Sequence, residues 1–158
     1  VDVANRAKNI FVTSANEMYE AVMANIHDQD LFISCAAVAD YRPTKASPNK
    51  IKNTSNQKTI ELVANKDILN DVCQLKNKPI CVGFAAETEN YINNANQKLK
   101  NKNCDAIILN DVSNREIGLK SDDNEVYFIT RDGSDKISKN SKQIIAEKIV
   151  KKITEEFF

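Results

Sequence analysis

The chain has 158 residues, room for one domain. Its 22 Lys plus Arg balance 22 Asp plus Glu, so it lacks the basic excess of a protein built around a nucleic-acid backbone. With 42% hydrophobic and 28% charged residues the composition is globular; no run approaches about 18 apolar residues and no signal peptide is seen, so a soluble cytoplasmic domain is expected.

Residues 9–13 (Asn-Ile-Phe-Val-Thr) read as a short strand, and Thr13 or Ser14 can cap the helix that follows. Met18, Ala21, Val22 and Ile26 fall at spacings of three and four, giving that helix one apolar face. His27, the single histidine, reads as a helix-end residue. Residues 30–39 are an almost unbroken apolar run, Leu31-Phe32-Ile33-Ser34-Cys35-Ala36-Ala37-Val38-Ala39, the pattern of a strand buried on both faces of a parallel sheet. Pro43, Pro48 and a polar stretch over 50–58 make residues 40–59 a long connection at the end of that strand, where function tends to concentrate. Residues 60–63 can form a strand. Asn65 is then expected to cap a helix with Ile68, Leu69, Val72 and Leu75 on its face.

Residues 79–86 read as a second buried strand running into Glu87-Thr88, residues 89–101 as a helix, and residues 105–109 as a third buried strand ending at Asn110-Asp111. Residues 125–130 alternate like an antiparallel strand, with a turn at Asp132-Gly133. Ile144, Ile145, Ile149, Val150 and Ile153 mark the apolar face of a C-terminal helix. The four cysteines, Cys35, Cys73, Cys81 and Cys104, stand in apolar runs without Cys-x-x-Cys spacing. They read as small hydrophobes in a reducing compartment, and no metal site is expected.

This alternation predicts an α/β fold: a Rossmann-like open, mostly parallel sheet with helices on both faces and a C-terminal antiparallel extension. In such sheets ligands bind beyond the carboxyl ends of the strands. Asp40, residues 84–88 and Asn110-Asp111 all stand at strand ends and should meet at one crevice. Lys98 and Lys102 lie four apart on the helix after the second buried strand and share a side. Two ammonium groups near strand ends suit a polyphosphate, and the same spacing also fits a solvated helix face. Lys50 reads either as a surface lysine or as a cation that neutralises charge on a transferred phosphoryl group. Asp40 fits a turn cap or a ribose contact, and Phe84 fits the core or a base.

Taken in order, Ala36-Ala37-Val38-Ala39-Asp40-Tyr41-Arg42-Pro43, Lys50-Ile51-Lys52, Asn65-Lys66-Asp67-Ile68-Leu69, Val82-Gly83-Phe84-Ala85-Ala86-Glu87-Thr88 and Asn110-Asp111-Val112 resemble the phosphopantothenoylcysteine synthetase family over nearly the whole chain. This is the ligase of coenzyme A biosynthesis, and the strings are of its bacterial, CTP-dependent type. The resemblance implies two steps. The carboxylate of 4′-phosphopantothenate attacks the α-phosphate of CTP with Mg2+ present, giving an acyl-cytidylate and pyrophosphate. The amine of L-cysteine then attacks the activated carbonyl, giving 4′-phosphopantothenoylcysteine and CMP.

The resemblance also implies roles for residues. Lys50 supports the acyl-nucleotide chemistry, and Lys98 and Lys102 meet the triphosphate. Ser34, Cys35 and Ala36, with Lys66, Asp67, Ile68 and Leu69, line the nucleotide site by their backbone, while Asp40 and Phe84 are nucleotide contacts and Ala37 and Asn110 substrate contacts. Family members form homodimers, and FMN is expected only where a decarboxylase domain is fused upstream. Two departures stand out: Lys66 replaces the usual proline and Asn53 a usual lysine. The family's opening strand, glycine-rich Ser-Asn-His-Ser-Ser-Gly segment and first helix have no counterpart here. Residues 1–158 therefore read as one nucleotide-binding ligase domain lacking that unit, and the family's asparagine that holds the acyl intermediate falls on no residue of this sequence. Two readings compete. An NAD(P)-linked Rossmann oxidoreductase calls for Gly-x-Gly-x-x-Gly, absent among three glycines; the other is a non-catalytic nucleotide-binding module. Residues 44–58, without apolar anchors between Ile51 and Ile60, are expected to close over the site as a lid.

Overall fold

A reciprocal cap opens the first helix. The Ser14 hydroxyl accepts from the Glu17 amide at 3.2 Å, and Glu17 Oε2 accepts from the Thr13 amide at 2.7 Å and the Thr13 hydroxyl at 2.8 Å. The computed structural model describes residues 7–45, 47, 49–50, 59–87, 90–111 and 121–158. Along the chain run α1 (Ala15–Asn25), β1 (Leu31–Ser34), β2 (Tyr41–Pro43), β3 (Leu62–Ala64), α2 (Ile68–Cys73), β4 (Ile80–Glu87), α3 (Tyr91–Lys102), β5 (Ala106–Asp111), β6 (Asp123–Ile129), β7 (Ser134–Ser141) and α4 (Lys142–Phe157).

The main sheet has the order β1-β4-β5-β6-β7. β1 and β5 lie parallel to β4, with Ser34 opposite Gly83 and Ala86 opposite Asn110. β6 and β7 then continue antiparallel; the sequence led one to expect β6. Alternating side chains divide the core in two. Cys81, Ala85, Ile107 and Leu109 face a layer holding Ile26 at the end of α1, Leu69 and Val72 of α2, and Ala95 and Leu99 of α3. Val82, Ala106, Ile108, Val126 and Phe128 face Ile145, Ile149 and Ile153 of α4. Each strand residue points opposite to its neighbour, so an uninterrupted apolar strand needs helices on both faces, and it has them. Gly83 lets α2 approach: a Cβ there would stand 2.6 Å from Leu69 Cδ2 and 3.0 Å from Ile107 Cδ1.

Several expectations change. Residues 9–13 form no strand, and Phe11 is 82% exposed, because no neighbouring strand pairs with them. β1 ends at Ser34 and pairs only with β4 among the described residues; it is half-buried, with Phe32 packed against one core layer and Leu31 against the other, while Cys35, Ala36 and Ala37 are exposed. The small side chains of that run offer little area to bury, and the chain leaves the sheet. Cys35 is thus an exposed thiol, whereas Cys73, Cys81 and Cys104 are buried. The Cys73 and Cys104 sulfurs stand 3.6 Å apart, and this contact together with the Cys81 thiol and burial pushes the Cys73 thiol up. Asp67, not Asn65, caps α2. β2 and β3 form a separate antiparallel ribbon, Arg42 opposite Val63, where the prolines suggested only a connection. β7 escaped notice because its polar sequence buries only Ile137. Ile144 and Val150 are exposed, leaving Ile145, Ile149 and Ile153 as the buried face of α4.

Candidate nucleotide site

A cavity of about 530 Å³ opens beyond the carboxyl end of β1 and beside β4. Its lining comes from four places. Ser34 ends β1, and residues 36–41 lead away from it. Residues 64–69 join β3 to α2. Phe84 belongs to β4, and Lys98 and Lys102 to α3.

Local sequence explains each wall. α3 is anchored by Ala95 and Leu99, both fully buried, so Lys98 and Lys102 fall on its flank. The helix ends at Asn103, whose left-handed conformation (φ 57°) suits asparagine, and the Cys104 amide bonds back to the Leu99 carbonyl at 3.0 Å. Lys98 Nζ donates to the Phe84 carbonyl at 3.1 Å. Lys102 Nζ meets Asp67 Oδ2 at 2.7 Å. The other Asp67 oxygen accepts the Asn70 amide at 3.0 Å as the cap of α2. Burial would raise the Asp67 pKa, but the Lys102 bond, the Asn70 amide and the charges of Lys102 and Lys98 outweigh it and hold the carboxyl below its ordinary range.

The opposite rim is a hydrogen-bonded knot. The Asn65 amide donates to the Asp40 carbonyl at 2.8 Å, and Asn65 Nδ2 to the Ala39 carbonyl at 2.7 Å. Arg42 Nη1 donates to the Ala64 carbonyl at 2.9 Å and to Asn65 Oδ1 at 3.0 Å. Asn65 therefore bridges the two stretches that face the cavity, and Arg42 fixes which way its amide points. Just beyond, the Lys66 ammonium lies 4.0 Å from the centre of the Tyr19 ring.

The structure thus gathers Ser34, Ala36, Ala37, Asp40, Lys66, Asp67, Ile68, Leu69, Phe84, Lys98 and Lys102 around one cavity. Three of the sequence-derived candidates stand outside its lining. Cys35 is exposed beside it, Lys50 is exposed, and Asn110 lies in β5 opposite Ala86 and Val126. Most of the lid expected over 44–58 lies outside the described residues, as do Thr88 and Val112. Sequence reasoning missed Arg42 and gave Asn65 the wrong task. An asparagine with both a donor and an acceptor, set between a strand and a capping aspartate, is the signal that could have revealed the bridge. Among the described residues no group of three His, Cys, Asp or Glu side chains could hold a metal ion.

The fold is an α/β domain with a cavity at the carboxyl end of a parallel strand, and two lysines of α3 line it. The chain belongs to the family of DNA/pantothenate metabolism flavoprotein C-terminal domains, matched over residues 1–157. It is 44% identical over 147 residues to the coenzyme A biosynthesis bifunctional protein CoaBC of Vibrio vulnificus, covering 91% of this chain and 37% of that protein. It is 41% identical over 150 residues to the CoaBC of Escherichia coli, covering 92% of this chain and 37% of that protein. The chain therefore spans less than two-fifths of the length of these relatives. A crystal structure of the C-terminal domain of CoaBC superposes with a TM-score of 0.78 at 32% identity, over 97% of this chain and 67% of that one. The DNA/pantothenate metabolism flavoprotein from Streptococcus pneumoniae shares the fold, with a TM-score of 0.74 at 21% identity over 91% of this chain and 71% of that one.

Proposed function

We propose that this chain is a phosphopantothenate–cysteine ligase domain that joins 4′-phosphopantothenate to L-cysteine through an acyl-cytidylate, consuming CTP and releasing CMP and pyrophosphate. The observation that carries this reading is that Lys98 and Lys102 line one cavity together with residues 66–69 and Asp40. Each lysine rests on a partner that a phosphate can replace. Lys98 donates to a neutral carbonyl, and Lys102 to a carboxylate that is about half exposed. An ammonium donating to a phosphate oxygen forms a shorter, stronger, charge-assisted bond than one donating to a carbonyl. The triphosphate is assigned to these two lysines, with Asp40 and Phe84 as further nucleotide contacts and the backbone of Ser34, Cys35, Ala36 and residues 66–69 completing the site. Forming the acyl-cytidylate turns a poor leaving oxygen into part of a mixed anhydride; the cysteine amine then attacks the acyl carbon and CMP leaves.

Ala37 and Asn110 are assigned to 4′-phosphopantothenate. The Asn110 Oδ1 atom is buried with no hydrogen-bond partner among the described residues, an acceptor that a substrate N–H or O–H would satisfy. Lys50 is assigned to the acyl-cytidylate chemistry; standing outside the lining, it must move towards the cavity to act. Magnesium belongs with the nucleotide phosphates rather than in a protein cage, since it typically binds through substrate phosphates and retained waters. FMN enters only with a fused decarboxylase. The homodimer belongs to the same reading, and the β2–β3 ribbon offers a surface for it, with Tyr41, Leu62 and Val63 exposed on two short strands. So does a cytoplasmic setting; among the described residues no helix is long and apolar enough to cross a membrane.

The test uses the full-length protein that carries this domain. CTP with Mg2+ should raise Tm where NAD and NADP do not, and CTP with 4′-phosphopantothenate should release pyrophosphate before cysteine is added. A rise with NADP but not CTP would refute the ligase reading in favour of an oxidoreductase, and CTP binding without pyrophosphate release would leave only a nucleotide-binding module. Lys50→Gln should fold as wild type and release pyrophosphate about 100-fold more slowly. An unchanged rate would refute the assignment of Lys50.

A further inference from the structure

Tyr19 sits on α1, an element that contributes nothing to the cavity lining. It nevertheless touches the cavity's rim. Its ring receives the Lys66 ammonium at 4.0 Å, well inside the range of cation–π attraction. The Asp71 carboxylate lies near its hydroxyl, and partial burial together with that negative charge raises the phenol pKa. Lys66 directly precedes the cap of α2, and Asp71 lies in the helix's first turn. The stretch 66–69, which lines the cavity, is thus held just before the cap by a side chain of another helix. Without that grip the stretch depends on the Asp67 cap and on the buried side chains of Ile68 and Leu69.

We propose that Tyr19 is a positioning residue for the nucleotide site: by holding Lys66 on its ring it fixes the 66–69 backbone beside the Lys98–Lys102 wall. The arrangement is particular to a chain with lysine at position 66, since a side chain without a cation has nothing to lay on the ring. Its ligand rests on the CTP reading above, but its geometry does not, and the two can fail separately.

The test is a double-mutant cycle between Tyr19→Leu and Lys66→Met in the full-length protein, read in two ways. Amide hydrogen exchange over 66–71 is followed without ligand, and CTP·Mg2+ affinity is measured by calorimetry. Tyr19→Leu should speed exchange over 66–71 and weaken CTP about five-fold, while the same change in the Lys66→Met background should add much less to either. Tyr19→Phe, which keeps the ring and removes only the hydroxyl, should keep most of the affinity. A Tyr19→Leu protein with a lowered Tm but unaltered exchange and affinity would overturn the proposal, making Tyr19 a packing residue of α1. Equal effects in both backgrounds would overturn it too, because Tyr19 would not be acting through Lys66. Should Tyr19→Leu fail to fold, Lys66→Met alone must loosen 66–71, and unchanged exchange there counts against the proposal. If wild type binds no CTP, the ligand reading falls while the exchange measurements still decide the role of Tyr19.

Discussion

The two sides of the cavity are built on different physics. The α3 side is held by apolar burial: Ala95 and Leu99 are completely enclosed against Ile107 and Leu109 of the central strand. The facing rim, residues 36–41 and 64–67, has no buried residue at all and is held by the bonds of Asn65, Arg42 and Asp67. Burial removes surface from water and is lost only when the element detaches. Exposed hydrogen bonds exchange with water and open locally at low free energy. Lys98 and Lys102, which we assign to the triphosphate, thus sit on the unyielding side, and the backbone assigned to the nucleotide sits on the yielding one.

The sharpest way to break this contrast is to hollow out the rigid side. Leu99→Ala should lower unfolding free energy by about 3 kcal/mol in chemical denaturation, the range for a fully buried leucine, and speed exchange throughout α3. Asn65→Ala probes the other side. It frees the Ala39 carbonyl and leaves Arg42 with only its bond to the Ala64 carbonyl, yet it should lower global stability by only about 1 kcal/mol while markedly speeding exchange over 38–41 and 64–66. If Asn65→Ala destabilised the whole protein as much as Leu99→Ala, the rim would be part of the core and the contrast would fail.

The smallest effect concerns pH. The Asp67 carboxyl is held below its ordinary value of 3.8 in the folded protein, so the folded state binds fewer protons there than the unfolded chain near that pH. The stabilisation is fully present above that value and is lost as pH falls through the lowered folded value. Asp67→Asn should therefore flatten the loss of stability below about pH 4, followed by denaturant midpoint against pH. An identical acid limb in both proteins would show that Lys102 does not engage Asp67 in solution.

What was legible in the sequence follows the same division. β4, β5 and α3 announce themselves because burial imposes a pattern: unbroken apolar runs for the strands and a repeating face for the helix. Lys98 and Lys102 were visible as a pair from their spacing alone, although only the resemblance gave them a ligand. Residues 36–41 and 66–69 came from the family's strings, since nothing in alanines and a lone aspartate reports a backbone that faces a cavity. A strand near β3 was expected over 60–63, but β2, its pairing with β3 and the Asn65 bridge were hidden because hydrogen bonds between distant stretches leave no periodicity. Tyr19 was hidden for the same reason: the cation it holds is in another element. The run over 30–39 misled in the opposite direction, since it is apolar by composition while its alanines carry too little area to keep it in the sheet.

The central claim is that the rigid side of the cavity receives the triphosphate of CTP. It is tested most directly by titrating CTP·Mg2+ into the full-length wild type and its Lys98→Ala/Lys102→Ala variant in a calorimeter, with 4′-phosphopantothenate titrated in parallel. Removing a hydrogen bond between an ammonium and a phosphate typically costs about 1.5–3 kcal/mol, so CTP should bind at least ten-fold more weakly while 4′-phosphopantothenate affinity holds. Equal CTP affinity in the two proteins would contradict the account and return both lysines to a solvated helix face.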